Sequence, residues 1–213
     1  MKIVYSLLLS LLFLSACTND KKAPVEEEEK KDSVITQQDS IPVIEKEEVN
    51  ISDLTQTILE QIKNKNYSSL IQYIQPDSGL RFSPYGYINT NTDIVIKPTR
   101  FRSMINDSTK FVWGHYDGSG DEISLTFKEY FDKFVYNVDF LKAEKLSINK
   151  SAAKGNSLNN IMKVYPNAEY TESYFSGFDK KYDGMDWQAL RLIYKKQAGK
   201  YYLIGIVHDQ WTI

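Results

Sequence analysis

The chain has few of the residues on which common catalytic and structural sites depend. Cys17 is the only cysteine, so no disulfide can form within the chain and no cluster of cysteine thiolates can bind a metal. His115 and His208 are the only histidines, and they lack the H-x-x-x-H spacing of a metal site. Beyond the N-terminal segment, no stretch approaches the roughly 18 apolar residues of a membrane-spanning helix. The sequence therefore predicts no cofactor, no metal and no further membrane span.

The signature motifs of several enzyme classes are also missing. The chain contains no G-x-S-x-G elbow, no Walker loop and no G-x-G-x-x-G turn. Its formal net charge is −2 at pH 7, and charges of both signs are interspersed through residues 51–213. This balance gives no electrostatic basis for binding nucleic acid. We therefore expect neither a nucleotide-dependent enzyme nor a nucleic-acid-binding protein.

The first residues have the make-up of a secretory signal. Lys2 is followed by a mostly apolar stretch of about a dozen residues, which is too short to span a bilayer stably. The stretch ends in the letters LSAC at residues 14–17, which resemble the lipobox of bacterial lipoproteins. The resemblance implies that residues 1–16 are removed and that Cys17 carries a diacylglycerol, whose acyl chains hold the protein on a membrane. The alternative is an uncleaved anchor in which the cysteine is incidental.

Residues 17–50 have the composition of a disordered tether. From Thr18 to Asn50 there are ten acidic residues, five basic residues and no aromatic residue. Such a segment cannot bury enough apolar surface to offset the entropy lost on ordering. As a flexible chain it would let the folded part move on the order of 30 Å from the lipid. We expect one folded domain after it, over residues 51–213.

The domain is predicted to be α+β with an antiparallel sheet. Its first helix presents Leu54, Ile58, Leu59 and Ile62 on one face, and Asn50 or Ser52 can cap it. Thr126 and Glu129 have the spacing of a capping box that begins a later helix. The predicted helices cover residues 52–64, 67–74, 100–105, 126–135 and 157–165. The predicted strands cover residues 80–82, 85–88, 93–96, 110–116, 145–148, 168–175, 187–196 and 201–208.

The order of these elements and two short runs of residues each resemble known proteins. Two opening helices followed by a final meander of long strands resemble the NTF2-like cone fold, in which a curved sheet wraps around helices. The elements between residues 80 and 165 depart from that pattern. The letters GLRFSPY at residues 79–85 and HDQWTI at residues 208–213 resemble small lipoproteins of Gram-negative cell envelopes. The second resemblance implies a lipid-anchored protein of the outer membrane, facing the periplasm or the surface, and implies no activity.

The two histidines are the residues best suited to acid–base chemistry. His115 and His208 end predicted strands, and Asp117 and Asp209 lie close to them in sequence. If the fold brings these groups together, they could form a general acid–base pair or supply two metal ligands. The NTF2-like resemblance implies histidine and aspartate inside the cone. The alternative is that each histidine is a hydrogen-bonded structural residue.

Aromatic residues cluster in the loop-rich stretch that contains Phe82, Tyr85 and Tyr87. Such side chains make rigid contacts at protein interfaces, and their faces also stack on sugars. The alternative is that they fill the core. We predict an exposed binding surface centred on Tyr85 and Tyr87.

The leading hypothesis is a non-catalytic envelope module that binds a protein or a glycan. A long tether favours it, because reach helps a binding module more than it helps an enzyme acting on diffusing substrates. The rival hypothesis is a small hydrolase or isomerase with His115 or His208 in a cone-shaped pocket. A third is a structural spacer without a specific ligand.

Overall fold

The computed structural model describes residues 50–152 and 158–212. The predicted signal sequence, Cys17 and the predicted tether up to residue 49 lie outside the described residues, as does Ser157, where one helix is predicted to begin. Within the described ranges, no helix combines the length and the apolar character needed to cross a membrane.

In the described part of the chain, eight strands form one large sheet and one separate hairpin. They are β1 Leu80–Ser83, β2 Val95–Ile96, β3 Phe111–His115, β4 Glu122–Leu125, β5 Lys145–Ile148, β6 Glu169–Phe175, β7 Gln188–Gln197 and β8 Lys200–Gln210. The large sheet has the order β2-β1-β8-β7-β6-β5, and β3 pairs with β4. In the large sheet, neighbouring strands pair antiparallel except for β1 and β8, which run parallel.

The first helix is the longest one that the structure describes. The α-helices are α1 Ile51–Lys63, α2 Pro98–Met104, α3 Phe127–Tyr130 and α4 Ile161–Val164. A π-helical turn over Phe131–Val135 continues α3, and 3₁₀ turns cover Tyr67–Tyr73, Phe140–Lys142 and Lys180–Tyr182. The predicted α+β class, with N-terminal helices packed on a curved and largely antiparallel sheet, is confirmed.

A tight hairpin sets the register of the two longest strands. Gln197 pairs with Lys200, and the two residues between them, Ala198 and Gly199, have φ of +49° and +76°. Positive φ at both central positions is typical of a type I′ turn, whose twist matches that of the strands. Further along, the pairing shifts after Ile193. Such a bulge bends a strand and increases the local twist of its sheet.

Apolar burial and one polar contact fix α1 on the sheet. Asn50 caps the helix by accepting a hydrogen bond from Ser52 N at 2.9 Å. The residues of the predicted apolar face are buried, namely Leu54, Ile58, Leu59 and Ile62. Beside them, Thr55 Oγ1 lies 2.7 Å from Tyr194 Oη and 2.8 Å from Thr171 Oγ1. The helix is thereby tied to β6 and β7.

Aromatic rings fill the space around β1, β3 and α3. Trp113 stacks on Tyr130 with 4.0 Å between ring centroids, and its Nε1 donates to a main-chain oxygen of β4 at 2.9 Å. Phe82 meets both rings edge to face, at 5.5 and 5.8 Å. Thr126 and Glu129 make both hydrogen bonds of the predicted capping box at the start of α3. One cluster of rings therefore joins the β3–β4 hairpin and α3 to the large sheet.

The face of the sheet turned away from α1 is covered as well. A second apolar cluster lies there, made of Ile88, Ile161, Ala168, Tyr170, Ile193, Ile204 and Val207. Beside it, Arg191 Nε lies 2.6 Å from Glu172 Oε2, and Arg191 Nη2 lies 2.8 Å from Asp209 Oδ2. None of these three residues is more than 1% exposed. Because side chains alternate along a strand, the adjacent Leu190 and His208 point to the other face.

Two predicted elements differ from the structure. Residues 85–88 do not form a strand. Instead, the Asn160 side chain accepts from Ile88 N at 2.8 Å and donates to Ile88 O at 2.9 Å, which satisfies that backbone without a neighbouring strand. Within the described residues, the helix predicted over 157–165 is confined to α4. Asn159 Oδ1 accepts from Ile161 N at 3.0 Å just before α4 begins.

Candidate functional site

A cleft opens where three parts of the chain meet: the segment after β1, the end of β3 with its following turn, and the end of β8. Its volume is about 380 Å³. Its walls include four rings, those of Tyr85, Tyr87, His115 and Tyr116, and three carboxyl groups, those of Asp93, Asp117 and Asp209. The cleft therefore combines aromatic surface with hydrogen-bonding groups, as small-molecule sites commonly do.

A close backbone approach forms one wall of the cleft. Gly114 has a φ of +127°, and a Cβ atom at this position would lie 3.3 Å from Pro84 Cγ. The pairing of β3 with β4 is irregular between Val112 and His115, and such a bulge re-aims the end of a strand. The bulge and the glycine together let His115 and Tyr116 lie beside the segment that follows β1.

The three aromatic residues of the predicted binding surface differ in their exposure. Tyr87 is 54% exposed. Tyr85 is half-buried, with its ring 6.0 Å from that of Phe134. Burial raises the pKa of the Tyr85 hydroxyl, and a hydrogen bond with the Asp117 backbone partly offsets it. Phe82, predicted to join this surface, is fully buried among core rings because its strand position faces α3, so it cannot contact a ligand.

Asp93 borders the cleft, and its surroundings shift its pKa. Burial raises its pKa from 3.8 to about 6. Three groups act in the opposite direction: the Ser83 hydroxyl, which donates to Oδ2, the Asn89 N–H, which donates to Oδ2 at 3.0 Å, and the positive charge of Arg81. Asp93 therefore changes its charge near pH 6, and it is mostly ionised at pH 7.

The structure brings three of the four histidine and aspartate residues considered from the sequence to the cleft, namely His115, Asp117 and Asp209, and separates His208 from them. His115 is exposed at the end of β3 and lines the cleft. His208 is fully buried, with Nδ1 3.2 Å from Pro84 O and Nε2 2.9 Å from Gln188 Oε1. Burial lowers the pKa of His208 to about 4, so its ring is neutral at pH 7. Asp209 also lines the cleft, but its carboxylate forms an ion pair with Arg191 at 2.8 Å and points to the face of the sheet opposite His208, so the two form no acid–base pair.

Among the cleft residues that sequence reasoning missed are Asp93, Tyr116, Asn89 and Gln210. The polar run before Asp93 is typical of a loop, but nothing in it indicates that the carboxyl group would be partly buried. Tyr116 ends the strand predicted over residues 110–116 but lies just after β3 in the structure, and its position in the cleft depends on the bulge in β3. Among the described residues, no group of three or more histidine, aspartate or glutamate side chains is arranged to hold a metal ion.

Comparison with known proteins adds little to this description. No protein-family model and no curated protein matches the chain. One similar solved structure is described as a calcium/calmodulin-dependent protein kinase II association domain from Xanthomonas campestris; it is 11% identical, with a TM-score of 0.33 over 75% of this chain and 84% of that one. Another is a variant of a protein named Rd1NTF2_05, 10% identical, with a TM-score of 0.31 over 75% of this chain and 100% of that one. TM-scores this low carry no argument about function, so the NTF2-like cone stays a prediction.

Proposed function

We propose that this protein is anchored through lipid at Cys17 to the outer membrane of a Gram-negative bacterium, and that its cleft binds a neutral glycan without altering it covalently. The combination of tyrosine rings and polar side chains in one cleft carries the glycan proposal. The lipobox resemblance at residues 14–17 and the acidic stretch after it support the anchor.

The ring faces match the apolar side of a sugar. A pyranose ring presents C–H groups on its faces and hydroxyl groups at its edge, and the C–H groups pack on aromatic rings. Tyr87 is 54% exposed and offers a face for such packing. Tyr85 is held against Phe134 and offers a more rigid wall. The cleft volume of about 380 Å³ lies at the lower end of the range for small-molecule sites.

The polar groups of the cleft select against acidic sugars. Asp93 and Asp117 border it, with Asn89 and Gln210 beside them. Carboxylates accept the hydrogen bonds that sugar hydroxyls donate, and amides both accept and donate. The carboxylates of Asp93 and Asp117 repel uronic acids, sialic acids and phosphorylated sugars, while the charge of Asp209 is paired with Arg191. A neutral glycan therefore fits the cleft better than an acidic one.

Binding to a panel of neutral oligosaccharides tests the proposal. The wild-type chain should bind at least one member, and Tyr87→Ala should weaken that binding about tenfold or more, because it removes the ring face. Tyr182→Ala is the matched control, since Tyr182 is 45% exposed on a 3₁₀ turn and does not line the cleft. It should leave the affinity unchanged.

Two results would contradict the glycan proposal. The first is that no neutral oligosaccharide binds. The second is that Tyr87→Ala and Tyr182→Ala weaken binding equally. If no glycan binds but Tyr87→Ala abolishes binding of a purified envelope protein, the partner of the cleft is a protein.

The raised pKa of Asp93 favours a second candidate, a small hydrolase or isomerase. A carboxyl group with a pKa of about 6, in the same cleft as an exposed histidine, can take and return protons near neutral pH. Asp93→Asn and His115→Ala should then each abolish turnover of a bound sugar while the affinity is kept. If the wild-type protein returns the oligosaccharide unchanged, this candidate is excluded for that sugar.

A further inference from the structure

A second depression lies next to the cleft, on the side of α3. This groove has a volume of about 620 Å³, and its surface is formed by α3, the π-helical turn that follows it and the end of β8. Glu129, Lys133 and Asn137 form its polar part, and Leu125 and Phe134 form its apolar part. It is wider and more open than the cleft.

The cleft and the groove are neighbours, because one side chain lines both and other lining side chains contact each other. Gln210 lines both of them. Lys133, on the groove side, donates from Nζ to Tyr116 Oη at 2.8 Å, and Nζ lies 4.6 Å from the centre of the Tyr116 ring. Phe134 lies between two tyrosines of the cleft, with its ring 6.0 Å from Tyr85 and 6.3 Å from Tyr116. A ligand that extends out of the cleft past Tyr116 therefore enters the groove.

A row of three hydrogen-bonded amide side chains, the amide row, runs from the groove to the cleft. Asn137 Nδ2 donates to Gln188 Oε1 at 2.9 Å, and Gln188 Nε2 donates to Gln210 Oε1 at 3.4 Å. The buried His208 Nε2 also lies 2.9 Å from Gln188 Oε1, which fixes the amide in the middle of the row. Amides both donate and accept, so a row of them suits a chain of hydroxyl-bearing units.

We infer that the cleft and the groove form one continuous site for a neutral oligosaccharide of several sugar units, with terminal recognition in the cleft and further units along the amide row. This inference rests on the proposed glycan-binding function. The charged side chains of the groove each have a partner within the protein, which agrees with a neutral ligand. Asp132 forms an ion pair with Lys65 at 2.9 Å, Glu129 is held in the capping box, and Lys133 is engaged by Tyr116.

Affinity as a function of chain length tests the inference on the full chain. The probes are cello-, malto- and chito-oligosaccharides of one to six units. In the series that binds, the affinity should rise about tenfold or more between one unit and four units, because added units gain contacts in the groove. Equal affinity for one unit and for six units overturns the inference while the proposed function stands. Failure of every probe to bind overturns both.

Blocking the groove gives a second test. Asn137→Trp should remove most of the gain with chain length and leave the affinity for the single sugar unchanged. The matched control is Asn167→Trp, because Asn167 is also exposed but lines a different depression, beside Val164 and Lys195. A gain with chain length that survives Asn137→Trp, in a variant with the circular dichroism of the wild type, contradicts the inference. If Asn137→Trp does not fold, the wild-type length series decides alone.

Discussion

Replacing Arg191 with methionine should strongly destabilise the fold. The guanidinium lies 2.6 Å from Glu172 and 2.8 Å from Asp209, and none of the three residues is more than 1% exposed. Removing one partner leaves two carboxylates in a buried site without their counter-charge. Breaking a buried ion pair in this way costs about 3–5 kcal/mol. That is a large part of the roughly 5–15 kcal/mol by which a typical domain is stable.

Urea unfolding at pH 7 measures the effect. The control is Lys63→Met, which breaks the exposed pair of Lys63 with Asp139, 2.7 Å apart, and should lower the free energy of unfolding far less. Adding Glu172→Gln and Asp209→Asn to Arg191→Met should recover most of the loss, because neutral amides need no counter-charge. If Arg191→Met costs no more than Lys63→Met, or if the triple variant is no more stable than the single one, the reasoning is refuted.

Three further predictions concern pH and anchoring. His208 has a pKa of about 4 when folded and about 6.5 when unfolded, so stability should fall by about 3 kcal/mol as the pH drops through this window. His208→Gln should remove that part of the fall in urea midpoints, and an unchanged pH dependence would contradict it. Asp93 has a raised pKa, so its contribution to stability should be lost as the pH rises from about 4 to 6. Asp93→Asn should therefore raise the free energy of unfolding at pH 8 by about 1–2 kcal/mol, allowing for the solvent contact of the carboxyl group; a loss of stability would argue against it. Cys17→Ser should move the protein from the membrane fraction to the soluble fraction, whereas retention in the membrane would show that lipid at Cys17 is not the anchor.

Local signals in the sequence predicted the elements whose cause is local. The apolar spacing of α1 and the capping box at Thr126 each depend on residues within a few positions of one another. The parallel pairing of β1 with β8 joins segments more than a hundred residues apart. Asn160 likewise replaces a strand partner for Ile88 across a long stretch of chain. No pattern within a single segment reveals such partners.

The site was predicted in part for the same reason. Tyr85 and Tyr87 were identified because aromatic residues in a loop-rich stretch indicate a binding surface. Phe82 lies three residues before Tyr85 in the same aromatic stretch. It is buried in the core only because its side chain points to the inner face of β1. Asp93 reaches the cleft because a loop closes over it, and Tyr116 reaches it because β3 contains a bulge. These are tertiary effects that the spacing of residues does not encode.

The central claim, that a neutral glycan binds in the cleft, is tested most directly by nuclear magnetic resonance. The protein would carry ¹³C in its tyrosine rings, and a neutral oligosaccharide would be titrated into it. We expect the ring signals of Tyr85, Tyr87 and Tyr116 to shift with one common affinity and the signal of Tyr182 to stay in place. Shifts at Tyr182 without shifts at the cleft tyrosines, or no shifts at any tyrosine up to saturating sugar, would contradict the account.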